Sequence, residues 1–373
     1  MFGVNYMSRT ILSPILVPLE LDLHIGHALG TRLLIFQALG FSIAQLLCGF
    51  WLARVRPYQM VALSIVTTGL SLMGNLFVTS YWQVALCFAA IGFTSGLYFP
   101  AAMATMASLV PTKNWGKAIA IHELAPNSSF ILLPILAQAL MAYTDWRGVC
   151  AALGGAMVIL GIAFGLLARG GREYAMKPSF AGCKGLLSNR YTWIVTMLVT
   201  IGIIGEFSTF SVLPAYFATE LGISLEKASH LLSMTRLLCP VAAICGGFLA
   251  DRFTPISIAR IYLLLQGICL ALMSSDNITI VLIATCMQAS FTGIAFPSIF
   301  KIIAIVFPMA EQPLLFSLTL PIAAFLGTGA VPQMLGYCGD TVGFATGFII
   351  LGIVNICCLF ALRSIPKSFG KSM

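Results

Sequence analysis

The chain has 373 residues, 59% of them hydrophobic and only 9% charged, with a formal net charge of +8. A soluble domain carries about 25% charged residues, so this chain cannot cover a water-facing surface and a soluble globular fold is excluded. The basic excess does not point to nucleic acid, because the lysines and arginines fall between apolar runs, where they orient a membrane protein.

Crossing a bilayer takes about 20 apolar residues, and runs of that length predict twelve helices. Six fall near 2–19, 29–52, 59–78, 82–110, 117–143 and 147–168. Six more follow near 191–218, 225–250, 256–274, 278–308, 314–338 and 341–363. No short alternating segments point to a β-barrel. The first apolar run starts at Met1 with no basic flank before it, so no cleavable signal peptide is expected. The 11 cysteines lie mostly inside apolar runs, without a C-x-x-C, and read as small core hydrophobes.

The long polar interruption is Arg169 to Arg190, with Arg169, Arg172, Lys177, Lys184 and Arg190 against a single acid, Glu173. It divides the chain into an N-terminal six-helix bundle, 1–168, a basic linker, 169–190, and a C-terminal six-helix bundle, 191–373. Placing both termini and the linker in the cytoplasm puts fourteen basic residues inside and two, Arg147 and Lys227, outside. The outer loops then carry Glu20, Asp22, Asp145, Glu220, Glu226, Asp276 and Asp340. This is the positive-inside distribution. The expected location is a multi-pass cell membrane protein, in the inner membrane if the source is bacterial.

The two bundles share landmarks. Gly96-Leu-Tyr-Phe-Pro100 with Pro111 recurs as Gly293-Ile-Ala-Phe-Pro297 with Pro308, an offset of 197, and Gly49 recurs as Gly247, an offset of 198. A near-constant offset implies duplicated halves. Aligning the first and seventh helices through Pro14 and Pro214 would start the first about nine residues before Met1.

Gly247-Phe-Leu-Ala-Asp251-Arg252-Phe-Thr resembles the G-x-L-a-D-R-x-G signature of the major facilitator superfamily. The first-half copy, Gly49-Phe-Trp-Leu-Ala53-Arg54-Val-Arg56, departs from it, with Ala53 in place of the acid. The signature's glycine would allow close helix packing, and its Asp would face a helix N-terminus and a basic partner. The resemblance implies an all-α integral membrane fold of twelve helices in two pseudo-symmetric halves. Asn5-Tyr-Met-Ser-Arg9-Thr-Ile-Leu-Ser-Pro14 is similar to the first helix of anion:cation symporters and organophosphate transporters, which often carry an arginine there. Gly92-Phe-Thr-Ser95-Gly96-Leu-Tyr98-Phe-Pro100 looks like their fourth helix, with Ser95 where some have glutamate. The seventh helix has Glu206 and no arginine, so a two-arginine anion clamp is missing.

Ionisable side chains within a span cost roughly 2.5–3.5 kcal/mol each and mark pathways. Here they are Arg9, Arg32, Glu123, Glu206, Arg236 and Lys301. The resemblance implies that helices one and seven line a central cavity, with Arg9 taking an anionic substrate and Glu206 a proton. The alternative is a structural ion pair. Arg236 is expected at the depth of Glu206, about 21 Å against 22 Å from the inner end at ~1.5 Å per residue, so an Arg236–Glu206 pair is equally open. Glu123, beside His122, is a second candidate proton carrier or a partner of Lys117. Arg32 is expected to meet Glu20 or Asp22 as an outer-gate contact, and Lys301 to snorkel. Asp251, Arg252 and Arg236 complete the gating charges. Asn5, Ser95, Tyr98, Thr209 and Gln288 are the polar candidates for substrate binding.

His24-Ile-Gly-His27 beside Asp22 mimics a metal site, but no further ligand is fixed nearby, so no metal is expected. No phosphate-binding loop, paired catalytic carboxylates or nucleophile motif is present, so neither ATP, another cofactor nor enzymatic chemistry is expected. The reading is a monomeric secondary transporter, a proton symporter of a small organic solute, in contact with the lipid bilayer and not with nucleic acid. The alternatives are an exporter of amphipathic compounds and a membrane protein that kept the fold without transport. The fifth helix lacks the glycines of drug/proton antiporters, which counts against export.

Overall fold

A computed structural model describes residues 1–111, 114–168, 182–308 and 311–364, with only the backbone at 115–117, 119, 120, 123 and 313. The described chain is helical, with no strand among the described residues. The first span, α1, has two segments, Phe2–Thr10 and Leu12–Leu23, meeting at Ile11. Then come α2 His27–Leu52, α3 Pro57–Phe77, α4 Tyr81–Leu109, α5 Trp115–Met141 and α6 Trp146–Leu167. The second series is α7 Arg190–Thr219, α8 Leu225–Arg252, α9 Pro255–Leu272, α10 Ile278–Val306, α11 Leu314–Thr341 and α12 Phe344–Ser364. Apart from the interrupted α1, each span has the length and apolarity to cross a membrane. All twelve fall where the apolar runs predict them. Of the basic linker, 169–181 lies outside the described residues, and Cys183–Ser188 forms a short helix before α7.

The chain divides into two compact units, Met1–Ser179 and Phe180–Met373. In the first, α2 packs along α4, α3 along α6 and α1 against α5. In the second, α8 packs along α10, α9 along α12 and α7 against α11. The same pairing shifted by six helices is what a duplicated half requires.

Glycine sets the closest crossings, because without a hydrophobic drive between helices, association needs backbone approach. A Cβ on Gly92 of α4 would overlap the Gln37 carbonyl of α2. One on Gly69 of α3 would lie 2.5 Å from the Gly154 carbonyl of α6. In the second unit, a Cβ on Gly246 of α8 would lie 2.6 Å from the Ile294 carbonyl of α10. This corrects the role expected of Gly247. A Cβ there would meet nothing within 4 Å. Neighbouring residues on a helix point about 100° apart, and the packing face belongs to Gly246.

Both units carry the same clamp where the first helix ends and the sixth begins. In the first, Arg147 Nη2 meets Asp22 Oδ2 at 2.8 Å, and Trp146 Nε1 donates to the same oxygen at 3.3 Å. In the second, the Glu220 carboxylate accepts from the backbone N–H of Phe344 and of Ala345 at the N-terminus of α12. Those amides have no partner within their own helix, and a carboxylate also suits the helix dipole. The positions correspond at an offset of 198, Asp22 to Glu220 and Trp146 to Phe344.

Asp22, beyond the apolar stretch, is held below the usual carboxylate range by its hydrogen bond to the Arg147 guanidinium, with Trp146 adding to it and partial burial opposing it. A depressed folded-state pKa means stability present above the unfolded value, ~3.9, and lost as pH falls through the folded one. Asp22→Asn should therefore lower thermal stability at pH 7, and the gap to the parent should close below about pH 4. Because Asp22 is 40% exposed, the neutral-pH loss should be modest, ~0.5–1 kcal/mol. Thermal unfolding at pH 7 and pH 3.5 reads both.

Candidate functional site

Several of the predicted site residues lie where a helix breaks, and prolines explain three of the breaks. Proline lacks the N–H that would bond the carbonyl four residues earlier, and its ring crowds it. Pro14 frees the carbonyl of Thr10, and α1 breaks at Ile11. Pro100 frees that of Gly96, and α4 is interrupted at Leu97. Pro240 frees that of Arg236, and α8 is interrupted between Met234 and Cys239. Residues 236, 237 and 239 there bond three residues back, the tighter 3-10 pattern. Two further irregularities are π-turns, Ile204–Ser208 in α7 and Leu326–Ala330 in α11. The second contains Thr328, four residues before Pro332. Arg9 borders the first break, Ser95 and Tyr98 flank the second, Arg236 lies in the third and Glu206 in the α7 π-turn. Broken helices within a membrane place backbone dipoles where they can serve a polar ligand.

In the first unit, the Arg9 guanidinium lies 4.0 Å over the Phe41 ring and 5.2 Å over that of Tyr6. Stacking on aromatic faces orients the planar fork. One turn earlier, Asn5 Nδ2 donates to the Ser95 carbonyl at 3.2 Å, and Ser8 Oγ donates to the Asn5 carbonyl at 2.6 Å. Gln37 of α2 donates to the Ser8 carbonyl at 3.4 Å. Asn5 and Ser95 are almost fully buried, so in this conformation they hold α1 to α4. Tyr98 stacks on Phe2 at 5.5 Å, and Phe2 also stacks on His122 at 4.0 Å. Tyr98 and His122 line a cavity of about 210 Å³ with Val61, Thr105 and Phe164. That cavity is mainly apolar and does not include Arg9.

In the second unit, Arg236 is buried, and its Nη2 donates to the backbone carbonyl of Glu206 at 2.8 Å. Its guanidinium lies 5.2 Å from the Phe210 ring centre. The sequence left two partners open for Glu206, and the fold brings Arg236 to this residue within one unit. Thr209 Oγ1 donates to the Gly205 carbonyl at 3.2 Å and to Gln288 Oε1 at 3.4 Å. Gln288 Nε2 donates to the same carbonyl at 2.7 Å. Thr209 and Gln288 are fully buried and brace the π-turn that carries Glu206. Ser208 Oγ donates to the Gly327 carbonyl, joining the two π-turns.

The signature Asp251 meets Lys301 Nζ of α10 at 3.3 Å, and the same ammonium donates to the Ala250 carbonyl at 2.8 Å. Lys301 thus caps the C-terminus of α8, where a cation is favoured. With Asp251 81% exposed, the ion pair contributes little stability. By the repeat offsets the corresponding first-half positions are Ala53 and Ala104. Both members of the pair are alanine there, so the degenerate signature leaves no orphaned charge. Arg252 is exposed at the end of α8.

The carboxylates expected for Arg32 have other partners. Glu20 meets His27 Nδ1 at 2.7 Å, and Asp22 meets Arg147. Arg32 is exposed. The Glu123 side chain and Lys117 lie outside the described side chains. Among the described residues no group of three or more His, Cys, Asp or Glu could hold a metal ion. Sequence reasoning missed Gln37 on α2 and Gln266 and Tyr262 on α9. The signal was there, since an amide inside an apolar run needs a reason. Confining the search to helices one, four, seven and ten hid it.

A chain of apolar spans in two similarly packed units, with ionisable residues at helix breaks, defines a polytopic transport-type membrane protein. The family model for the Major Facilitator Superfamily matches residues 1–216 and again 195–371, and the chain belongs to that superfamily. It is 22% identical over 268 residues to the probable L-galactonate transporter of Escherichia coli (strain K12), covering 66% of this chain and 59% of that transporter's length. Its fold is that of a bacterial homolog of the human lysosomal transporter Spinster, solved inward-facing and occupied, with TM-score 0.78, 15% identity, and 97% and 93% of the two chains covered. It is equally that of a D-xylose–proton symporter, with TM-score 0.79, 16% identity, and 100% and 97% covered. The family and these relatives are transporters, not enzymes.

Proposed function

We propose that this chain is a secondary active transporter that moves a small organic anion with protons by alternating access. The observation that carries the reading is the placement of Arg9, Glu206 and Arg236 at helix irregularities inside apolar spans. Each such charge costs roughly 2.5–3.5 kcal/mol to insert, and packing alone gives no return for it. Arg9 takes the substrate anion, its fork matched to a carboxylate. Glu206 takes the proton, with Glu123 as the second carrier. Asn5, Ser95 and Tyr98 of the first unit and Thr209 and Gln288 of the second bind substrate, and Arg32, Arg236, Asp251 and Arg252 serve as gating or structural charges. The relative named for L-galactonate supports a hydroxylated carboxylate, and the relative named for xylose and protons supports symport.

The protein is a monomer of two six-helix bundles, 1–168 and 191–373, joined by the basic linker 169–190, with both termini and the linker cytoplasmic. A cysteine replacing Lys177 in a cysteine-free background should react with a membrane-impermeant maleimide only after the membrane is opened. Labelling in sealed cells would reverse the topology and the sidedness of every gate.

A thermal-shift screen of the purified protein tests the substrate class. L-galactonate and related hydroxy acids should raise the unfolding temperature above what neutral sugars or amino acids achieve. A ligand at 100 times its Kd adds about 2.7 kcal/mol of stability, and Arg9→Ala should abolish the shift. Equal shifts in the parent and Arg9→Ala proteins would remove Arg9 from the site.

A further inference from the structure

Gln266 of α9 is fully buried, and neither its Nε2 nor its Oε1 has a hydrogen-bond partner. Buried amides are nearly always bonded, so an orphan kept at this depth calls for a reason. Its surroundings are specific. A Cβ on Gly205 would stand 2.5 Å from Gln266 Nε2, 2.5 Å from Thr292 Oγ1 and 3.1 Å from the Tyr262 hydroxyl. The orphan amide therefore lies against the π-turn of α7, at the residue whose carbonyl accepts from Gln288. Two glutamines from neighbouring helices approach one peptide of α7, and only one of them is bonded.

The π-turn itself can take two registers. It closes on a bond from the Thr209 N–H to the Ile204 carbonyl, five residues back. An α-turn would bond that N–H to the Gly205 carbonyl instead, the acceptor that Gln288 now occupies. Moving the extra residue out of this turn rotates one side of the helix against the other by about 100°, one residue's share of a 3.6-residue turn. Glu206 rotates with it. Among the described residues, the charged and titratable groups around Glu206 are Arg236 and Cys239 of α8 and Tyr262 of α9, with Cys286 of α10 near Arg236 and Cys239. The α11 π-turn, held by Ser208, can shift in step.

We propose that Gln266 is a positioning residue for Glu206: it bonds the α7 backbone in the alternative register, as Gln288 bonds it in the present one. The exchange of partners swings the Glu206 carboxylate between two settings. The role rests on Glu206 as the proton carrier, but its test does not.

Hydrogen–deuterium exchange of the full chain in lipid nanodiscs follows peptides across residues 200–212, with the α12 segment 344–358 as reference. Gln266→Met keeps the length and removes the amide. The unfolding temperature should rise, because the buried orphan is gone. Exchange across 200–212 should slow at least about tenfold while the reference is unchanged, because only the alternative register has lost its partner. Gln288→Met should speed exchange in the same segment. Gln266→Glu, with a carboxyl at similar reach, should restore the parent rate in acid, and it guards against a misfolded Met variant. Equal slowing of both segments, unchanged exchange across 200–212, or a lower unfolding temperature for Gln266→Met would each overturn the proposal. A failure here leaves the proton reading standing, since that reading is tested separately by pH-driven uptake in Glu206→Gln.

Discussion

Gly92→Ala is expected to destabilise the first bundle by more than about 3 kcal/mol, the size reached when a well-packed site is overfilled by atoms that cannot move aside. The added methyl would overlap the Gln37 carbonyl oxygen and stand 2.7 Å from its carbon and 2.9 Å from its Cα. All three are backbone atoms, so no rotamer change relieves the clash, and α2 must separate from α4. The Asn5–Ser95 and Gln37–Ser8 bonds that fasten α1 to this pair would loosen with it. Against a total stability on the order of 5–15 kcal/mol, the unfolding temperature should fall on the order of 10 °C. Gly247→Ala is the control. Its methyl enters open space, and alanine's helix propensity makes it neutral or stabilising by up to ~1 kcal/mol. A thiol-reactive dye reports both variants, because Cys48 and Cys150 of the first unit and Cys239 and Cys269 of the second are buried until their bundle opens. If Gly92→Ala unfolds with the parent, α2 and α4 do not cross at this glycine.

The contrast between those glycines shows what was legible in the sequence. Spans are legible because each must be apolar over about 20 residues regardless of its neighbours, and the duplication because Pro100 and Gly49 recur at a nearly constant offset. The face of a helix that meets a neighbour is not legible from a motif, which is why Gly247 was credited with the packing that Gly246 performs. The breaks at Ile11, Leu97 and Arg236 were written in the prolines three or four residues on, by a local rule. Pro297 shows the rule's limit, since α10 runs through it unbroken. The π-turn at Glu206 has no such mark, because it depends on Gln288 and Thr209 competing for the Gly205 carbonyl, a contact between helices far apart in the chain. Thr209 and Gln288 were singled out as candidates for substrate binding, and in this conformation both are buried and bond the Gly205 carbonyl.

Glu206→Gln should abolish accumulation driven by a pH gradient while sparing substrate exchange across the membrane. If one proton travels with one monovalent anion, the loaded protein carries no extra charge through a low-dielectric layer, where an uncompensated charge is costly. Each pH unit then supports about tenfold accumulation, and two units about a hundredfold. Glutamine keeps the shape and the hydrogen-bonding reach of a protonated glutamate but cannot release a proton. The variant should therefore stay in the neutral state that reorients with substrate bound. Uptake would equilibrate without concentrating, and counterflow of preloaded substrate would continue. The bond from Arg236 to the Glu206 backbone carbonyl does not involve the carboxylate, so the substitution leaves that bond intact. Arg9→Ala should lose binding and counterflow together, since it removes the anion's partner. On the proposed reading a proton at Glu206 favours an anion at Arg9, and by linkage the anion favours the proton equally, so in the parent protein anion affinity should rise as pH falls, and in Glu206→Gln it should be high and flat with pH. Proteoliposomes preloaded with the carboxylate that gives the largest thermal shift, assayed with and without an imposed gradient of two pH units, separate these outcomes. Full pH-driven accumulation by Glu206→Gln would make this carboxylate structural and move the proton to Glu123.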